Sequence, residues 1–212
     1  RPSSTSPVMR RGSEIMADDT NKEMNKSENV FLVGPMGVGK TTIGRVLADL
    51  LGKEFYDSDH EIESSAGADI PWIFDVEGES GFRLRELKMI DQLTQKKGIV
   101  LATGGGAVTE EENRKWLSSR GVIVYLHAPL SQQIERTSRD KSRPLLQTPD
   151  PAATVRELAQ IRDPFYREVA DIIIETNRRH PRSISQEIEQ HLDLSKSDLG
   201  KAIREDDADL DF

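Results

Sequence analysis

The residues with the clearest chemical meaning form a glycine-rich segment between an apolar run and a helix. Residues 34–41 read Gly-Pro-Met-Gly-Val-Gly-Lys-Thr, follow the run VFLV and match the pattern G-x-x-x-x-G-K-[ST]. Glycines let backbone N–H groups surround phosphate oxygens, and a helix N-terminus adds a positive partial charge. Lys40 would neutralise the β- and γ-phosphates, and the Thr41 hydroxyl would join the shell of a Mg²⁺ ion. A strand–helix turn without a ligand is the alternative, but the context favours a nucleoside triphosphate site.

Two carboxylates follow the second predicted strand, EFYD at Glu54–Asp57. Strand alternation sends Asp57 and Asp59 to one side and Ser58 to the other. One carboxylate suits a Mg²⁺ ion held through water, and the other suits a base that accepts the proton of an attacking hydroxyl. The alternative is a helix cap, with Ser58 or Asp59 starting the next helix. The neighbouring phosphate loop favours the catalytic interpretation.

Three consecutive glycines, Gly104, Gly105 and Gly106, follow the third predicted strand, Ile99–Ala102. In many phosphate-loop enzymes this strand ends in an Asp that binds the metal. Here it does not, so the negative charge must come from elsewhere, which favours Asp57. Glycines bring peptide N–H groups directly to a ligand, while a flexible hinge is an equally open explanation.

A polar and basic segment, residues 138–149 (SRDKSRPLLQTP), is interpreted as a flexible lid over the nucleotide. Within it, Arg143 would contact the transferred phosphate in the transition state. Arg83 and Arg162 lie on two other predicted helices. A single arginine is more often a solvated surface charge, but a site for an anionic second substrate needs several to converge.

The elements that must position these groups alternate along the chain. Short β-branched runs predict strands at residues 30–33, 54–57, 99–102, 122–126 and 171–175. Helices are predicted at residues 40–51, 59–65, 70–76, 79–95, 110–120, 130–139, 151–169 and 182–192, with Thr41, Val46, Leu47, Leu50 and Leu51 on the apolar face of the first. This alternation predicts an α/β fold, a three-layer αβα sandwich around a five-stranded parallel sheet. Ligands in such sheets bind beyond the carboxyl ends of the strands, where the candidate motifs lie.

Composition limits the function classes. Of 212 residues, 29 are Lys or Arg and 37 are Asp or Glu, for a net charge of −8. That balance argues against a dedicated nucleic-acid binder, and the absence of cysteine removes thiolate chemistry and disulfides. No apolar run is long enough to span a membrane and no secretory h-region is present. We therefore expect a cytoplasmic protein, acting as a monomer since nothing resembles a large dimer seam.

The two ends of the sequence differ from the middle in composition. Residues 1–28 are polar, without apolar periodicity, and are expected to be disordered. The internal Met9, Met16 and Met24 leave open that part of this stretch is a start-site extension. Residues 195–212 are expected to form an acidic flexible tail, although residues 199–203 could continue a helix. Residues 29–194 remain as one domain, which carries all the motifs above.

Taken together, the motifs resemble those of the shikimate kinases. G-x-x-G-x-G-K-[ST], D-S-D, F-R, L-A-T-G-G-G, R-P-L-L and T-N-R-R-x-P occur in that order over about residues 29–192. The resemblance implies a phosphate-loop fold like that of the nucleoside-monophosphate kinases. It also implies transfer of the ATP γ-phosphoryl group, with Mg²⁺, to the 3-hydroxyl of shikimate in aromatic amino acid biosynthesis.

The same resemblance implies a role for each matching residue. Asp59 would bind the shikimate hydroxyls and act as the base, and Asp57 would bind Mg²⁺ through water. Arg83 and Arg162 would clamp the shikimate carboxylate, helped by the loop Gly104, Gly105 and Gly106. Arg143 would be the lid arginine, and Phe74, Phe82 and Glu86 would line or support the pocket. The nucleotide would contact Gly37, Val38, Gly39, Lys40, Thr41 and Thr42, with Arg136, Arg179 and Pro181 around the adenine.

Two rival functions stay open on the sequence alone. Another small-metabolite kinase of the same fold, such as a gluconate kinase, would accept a linear sugar acid and would not need the set Asp59, Arg83, Gly105 and Arg162. A catalytically silent nucleotide-binding protein is the second rival. The presence of Lys40, Thr41, Asp57 and Asp59 together argues against silence.

Overall fold

The computed structural model describes residues 28–138 and 143–206 of the chain. Five parallel strands form one sheet in the order β2-β3-β1-β4-β5. The strands are β1 (Val30–Val33), β2 (Glu54–Asp57), β3 (Ile99–Ala102), β4 (Val122–His127) and β5 (Ile172–Glu175). The predicted α/β class and five-stranded parallel sheet are therefore confirmed, with β4 one residue longer and β5 one residue shorter than expected.

Seven helices connect or follow the strands in the described part of the chain. They are α1 (Lys40–Leu51), α2 (Ser58–Ala66), α3 (Ile70–Thr94), α4 (Glu111–Arg120), α5 (Leu130–Thr137), α6 (Pro151–Val169) and α7 (Pro181–Asp206). Short 3-10 turns cover Ala107–Thr109 and Pro144–Leu146. No described helix is long and apolar enough to cross a membrane.

The central strand β1 is buried on both faces, as a parallel strand between two helical layers must be. Val30 and Leu32 pack into a core shared with α1 and α7, whereas Phe31 and Val33 pack into a second core shared with α3, α4 and α6. Both cores are largely aliphatic, with Phe31, Tyr125 and Tyr166 in the second. This arrangement confirms the three-layer architecture and places the carboxyl ends of all strands on one edge.

Helix α1 buries only part of the apolar face that its sequence predicted: Leu47 lies in the core and Leu51 packs against it. Ile43, Gly44, Leu47 and Ala48 are the buried residues, whereas Leu50 is 37% exposed. The reason is a close contact at Gly44, where a Cβ atom would lie 2.5 Å from the Phe55 ring. The missing side chain lets α1 lie directly on Phe55 and Leu32, and this contact sets the rotation of the helix.

The two helices predicted at residues 70–76 and 79–95 form one element, α3, interrupted at Gly78. Gly78 has φ 71° and ψ 179°, which no helix contains and which glycine adopts without strain. The interruption separates the first part of α3 from its second part, which carries Arg83 and Glu86. The predicted separation into two helices is thus correct in position, though the gap is a single residue.

The predicted ends of the chain are only partly covered by the structure. Residues 1–27 of the extension, residues 139–142 of the lid and residues 207–212 of the tail lie outside the described residues. Helix α7 continues to Asp206, beyond the predicted end at residue 192. The helical continuation at residues 199–203 is therefore present.

Candidate active site

The phosphate loop connects β1 to α1 at the carboxyl edge of the sheet. Gly37 and Gly39 have φ values of 74° and 101°, conformations that favour glycine, and Gly39 is the N-cap of α1. Arg136 donates from α5 to the carbonyls of Gly37 and Val38, at 3.1 and 3.2 Å. The Arg136 guanidinium therefore holds the phosphate loop against α5.

Lys40 is held by its own loop. Its Nζ donates to the carbonyl oxygens of Gly34 and Pro35, at 2.7 and 2.8 Å. Burial lowers the pKa of Lys40 to about 8, helped by the positive charge of Arg143 and opposed by Asp59 and Asp57. Among the described residues, the hydrogen bonds of this ammonium group thus go to two carbonyl oxygens. An anion such as a phosphate would therefore stabilise its charged form.

The Thr41 hydroxyl and the Asp57 carboxylate lie together at the start of α1. Thr41 Oγ1 donates to Asp57 Oδ2 at 2.6 Å, and Asp57 Oδ1 accepts from the backbone N–H groups of Asp59 and His60. Asp57 is thus the N-cap of α2, so the cap that the sequence left to Ser58 or Asp59 is one residue earlier. The Asp57 carboxylate is compatible with both the helix-cap and the Mg²⁺-site interpretations, because one oxygen caps α2 and the other accepts from Thr41.

Asp59 is the second residue of α2. The alternation of side chains along a strand, which predicted that Asp59 lies on the same side as Asp57, therefore does not apply. The first turn of the helix instead directs its side chain into the site, where Oδ1 is buried and has no hydrogen-bond partner among the described residues. Burial raises the pKa of Asp59 to about 7, and the charges of Glu86 and Asp57 add to this effect. A carboxylate with such a pKa suits a proton acceptor near neutral pH.

The triple glycine lies against three functional side chains, most tightly at Gly104 and Gly106. A Cβ at Gly104 would lie 2.7 Å from Asp59 Oδ1, one at Gly105 would lie 3.6 Å from Arg162 Nη1, and one at Gly106 would lie 2.3 Å from Arg83 Nη1. The Gly104 N–H donates to Ser58 Oγ at 2.8 Å, and the turn at Ala107–Thr109 holds the Gly104 and Gly106 carbonyls. The loop is a fitted wall, which favours ligand contact over a hinge.

Two arginines reach this wall from different helices. Arg83 Nη1 donates to Glu86 Oε2 at 2.6 Å, and the Glu86 side chain is fully buried. Arg162 is only 5% exposed although it is an arginine. Burial raises the pKa of Glu86, an effect that Arg83 and Arg162 oppose by their charge. Two largely buried guanidinium groups beside the Gly105 and Gly106 N–H groups, which have no acceptor among the described residues, form a site for a carboxylate.

A cavity of about 310 Å³ connects these groups. Asp59, Arg83, Arg162 and Arg143 line it, together with the triple glycine. Phe74 and Phe82, whose ring centroids are 4.9 Å apart, form its apolar side. The volume lies at the lower end of the range for small-molecule sites. The wall offers one apolar surface, three arginines and four carboxylates, those of Asp59, Glu63, Asp69 and Glu86.

The predicted adenine contacts lie outside this cavity. Arg136 holds the phosphate loop, whereas Arg179 donates to the Glu175 carbonyl at 3.0 Å and pairs with Glu187. Pro181 is the first residue of α7, and Thr42 is exposed at the start of α1. Ser185 Oγ donates to the Ile43 carbonyl, which ties the start of α7 to α1.

Two residues that the sequence analysis did not single out help to build the site. Ser58 is buried and accepts the Gly104 N–H; its place between two aspartates was the available signal. Tyr166 is buried and donates its hydroxyl to the Gly105 carbonyl. Tyr166 lies one helical turn after Arg162, and that i, i+4 spacing was its only signal.

Known proteins share both the sequence and this architecture. A shikimate kinase from Acinetobacter baumannii strain AYE is 56% identical over 170 residues, which cover 80% of this chain and 94% of the relative. The shikimate kinase from Histophilus somni is 54% identical and covers 82% of this chain and 99% of its own. A solved shikimate kinase from Acinetobacter baumannii in complex with shikimate superimposes with a TM-score of 0.79 and 56% identity, covering 82% of this chain and 97% of that structure.

More distant matches show the fold alone. A gluconokinase from Sinorhizobium meliloti superimposes with a TM-score of 0.56 at 15% identity, over 84% of this chain and 98% of that structure. A family model described as shikimate kinase, by contrast, matches residues 36–193, a range that contains every residue of the cavity described above. The chain therefore belongs to the shikimate kinase family.

Proposed function

We propose that the crevice transfers the γ-phosphoryl group of ATP to the 3-hydroxyl group of shikimate, which yields shikimate 3-phosphate and ADP. One observation carries this proposal: a single cavity joins the buried carboxylate of Asp59, beside the phosphate-loop lysine, to the guanidinium groups of Arg83 and Arg162. Shikimate is a small cyclic triol with one carboxylate, so it needs this pairing of a hydrogen-bond acceptor for hydroxyls with cations for the acid group.

The nucleotide half of the site is the phosphate loop. Backbone N–H groups of Gly37, Val38 and Gly39 would surround the phosphates, with Thr41 and Thr42 at the start of α1 below them. Lys40 would exchange the carbonyls of Gly34 and Pro35 for β- and γ-phosphate oxygens. Its lowered pKa would return toward the ordinary value as the anion binds. Arg136, Arg179 and Pro181 would surround the adenine.

A Mg²⁺ ion fits the pair Thr41 and Asp57. The hydroxyl and the carboxylate already meet at 2.6 Å, and both are oxygen donors of the kind that Mg²⁺ prefers. The described residues contain no cluster of three or more acidic or histidine ligands, which suits a metal that keeps several waters and takes its other ligands from phosphates. When bound, the ion would neutralise charge on the β- and γ-phosphates.

The acceptor half of the site lies between α2, α3 and α6. Arg83 and Arg162 would hold the shikimate carboxylate, together with the N–H groups of the triple glycine. Within the described part of the chain, no protein acceptor takes the Gly105 or Gly106 N–H. Phe74 and Phe82 would pack against the ring of the substrate.

Asp59 would perform the proton chemistry. Its unpartnered Oδ1 would accept a hydrogen bond from the attacking 3-hydroxyl and take its proton as the new O–P bond forms. The bond between the γ-phosphorus and the bridging oxygen breaks, and ADP leaves with those electrons. Arg143, which lines the cavity from the lid, would stabilise the charge on the transferred group. Most of the acceleration would come from positioning and charge.

The proposal includes a monomeric enzyme in the cytoplasm, where ATP is available. Support for the monomer comes from the site itself, since residues of one chain supply both the phosphate loop and the acceptor wall. The chorismate and aromatic amino acid pathway is the context in which the family uses this reaction.

The test is ADP release with shikimate, compared with gluconate and other hydroxy acids. We expect release that depends on shikimate and on Mg²⁺, and no stimulation by gluconate. Lys40→Ala should abolish it, whereas Lys115→Ala, at an exposed lysine paired with Glu111 and Glu112, should not change it. Stimulation by gluconate alone would indicate a sugar-acid kinase, and nucleotide binding without any turnover would indicate a silent protein.

A further inference from the structure

Tyr166 joins the acceptor wall to the interior of the protein without lining the cavity. It lies on α6 four residues after Arg162, so both side chains leave the same face of the helix. Both are almost fully buried, at 1% and 5% exposure. The Tyr166 hydroxyl donates to the carbonyl oxygen of Gly105.

That hydrogen bond determines how one peptide group is turned. The Gly104 and Gly106 carbonyls are held by the turn at Ala107–Thr109, whereas the Gly105 carbonyl takes its side-chain donor from Tyr166. The C=O and N–H groups of a trans peptide point in opposite directions, and the described residues contain no cis peptide. A Gly105 carbonyl turned back to Tyr166 therefore leaves the Gly106 N–H turned away from it.

Because this peptide joins two glycines, it needs such a hydrogen bond to hold a single orientation. A peptide between two glycines rotates more freely than any other because neither residue has a Cβ. The Arg83 guanidinium lies against Gly106, where a Cβ would be 2.3 Å from Nη1, and the Arg162 guanidinium lies 3.6 Å from the Cβ position of Gly105. The Gly106 N–H has no acceptor among the described residues, so it is available to an anion that binds beside these guanidinium groups.

We propose that Tyr166 is a positioning residue, which locks the Gly105–Gly106 peptide so that the Gly106 N–H donates to the substrate carboxylate between Arg83 and Arg162. This inference rests on the proposed function, because it assumes a carboxylate substrate in the cavity. A rotated peptide would instead present the Gly105 carbonyl oxygen, which repels a carboxylate.

The surroundings keep the Tyr166 hydroxyl in its donor state. Burial raises its pKa, and the charge and hydrogen bond of Arg162 only partly oppose that rise. The ring of Tyr125 stacks on that of Tyr166, with centroids 5.0 Å apart. A tyrosine fixed by stacking and protonated throughout the working range is a rigid donor.

The first test is Tyr166→Phe, which removes the hydroxyl and keeps the ring. We expect the shikimate KM to rise about fivefold, the size of one net hydrogen bond, with the ATP KM and kcat unchanged within about twofold. Tyr125→Phe is the matched control, since it removes a buried hydroxyl that donates to Asp163 at 2.7 Å and does not touch the loop. Equal shikimate KM changes in the two variants, or none in Tyr166→Phe, would overturn the proposal.

The second test asks whether the effect acts through the carboxylate. A shikimate analogue with a hydroxymethyl group in place of the carboxylate should bind the Tyr166→Phe variant and the unmodified protein with the same Kd. An equal loss for shikimate and the analogue would mean that Tyr166 merely supports the pocket, and would overturn the lock.

A third measurement needs no variant. In the protein labelled with ¹⁵N-glycine, the Gly106 amide signal should move downfield as shikimate is added, because its N–H gains a charged acceptor. An unmoved Gly106 signal at saturating shikimate would overturn the inference. Failure of the proposed function itself would look different, since the unmodified protein would then release no ADP with shikimate.

Discussion

Asp59 and Glu86 each direct one buried carboxylate oxygen at the same glycine, Gly104. A Cβ at that position would lie 2.7 Å from Asp59 Oδ1 and 2.5 Å from Glu86 Oε1. Neither oxygen has a hydrogen-bond partner among the described residues. Glu86 is paired through its other oxygen with Arg83, so it keeps a counter-charge. Asp59 has no such ion pair among the described residues, and the positive charges near it are those of Lys40 and Arg143. Asp59 is therefore the better proton acceptor.

Asp59→Asn should lower kcat far more than it lowers ATP affinity. The amide fills the same space but cannot take a proton, so we expect kcat to fall by about 10²- to 10⁴-fold with the ATP Kd little changed. Steady-state ADP release and ATP titration measure the two quantities. Asp75→Asn, at an exposed position of α3, is the control. Equal losses in kcat and ATP affinity would contradict the base role.

The same substitution should stabilise the protein in a pH-dependent way. Burial, then the charges of Glu86 and Asp57, raise the pKa of Asp59 from 3.8 to about 7 on folding. Between these values the folded protein binds a proton that the unfolded chain has lost, so the stability from this group is complete at low pH and falls as the pH rises to about 7. Asparagine has no proton to lose.

The gain in unfolding free energy from Asp59→Asn is therefore greatest above pH 7, with an upper bound of about 4 kcal/mol, and it shrinks as the pH falls toward 4. Denaturant unfolding of both proteins without ligands, between about pH 5 and pH 8, measures it. A gain that stays constant across this range would show that Asp59 does not carry a raised pKa.

The sequence predicted best what is local in the chain. Lys40 and Thr41 follow a strand and begin a helix, and a glycine loop between such elements has one main geometry. The proximity of Arg83 to Arg162 could not be predicted from a local pattern, because the two residues lie on α3 and α6 and no periodicity links them. Only the motif resemblance placed both at one ligand.

The details that the sequence missed depend on packing between elements. Strand alternation predicted that Asp59 would lie on the same side as Asp57, but the Asp57 carboxylate caps α2 and Asp59 lies in the first turn of that helix. Leu50 was expected inside, but Gly44 lets Phe55 approach α1 closely and Leu50 is left 37% exposed. In the second case a contact between two elements outweighed the local pattern, and no single sequence displays such a contact.

Arg162→Ala should chiefly raise the shikimate KM. Each lost charge-assisted contact is worth about 1.5–3 kcal/mol, so we expect an increase of about tenfold or more, with the ATP KM unchanged. Arg85→Ala, which breaks an exposed pair with Glu77, is the matched control. An unchanged shikimate KM would contradict the carboxylate clamp.

Arg83→Ala should raise the shikimate KM as well, but it should also destabilise the fold. Glu86 would be left buried and unpaired, at a cost of about 3–5 kcal/mol. The double variant Arg83→Ala/Glu86→Gln should recover most of the stability and none of the substrate affinity. Denaturant unfolding and shikimate KM separate the two effects, and recovery of both together would show that Arg83 acts only through Glu86.

Asp57→Asn should raise the Mg²⁺ concentration needed for half-maximal activity several-fold while preserving stability. Asparagine caps a helix as well as aspartate, so α2 should keep the bonds to the N–H groups of Asp59 and His60. Thr41→Ser, which retains the hydroxyl, should behave like the unmodified enzyme. A Mg²⁺ requirement that stays the same in Asp57→Asn would place the ion elsewhere.

Gly104→Ala should damage both stability and catalysis, since the added methyl group would overlap the carboxylates of Asp59 and Glu86. Overpacking at a rigid site costs about 1–3 kcal/mol, and the displaced Asp59 would no longer face the acceptor hydroxyl, so kcat should fall with it. Gly67→Ala is the control. A Cβ at Gly67 meets nothing within 4 Å, and its φ of 65° imposes backbone strain alone. Unfolding midpoints and kcat of both variants decide the matter: if Gly104→Ala loses stability but keeps its kcat, the position of Asp59 does not depend on this glycine.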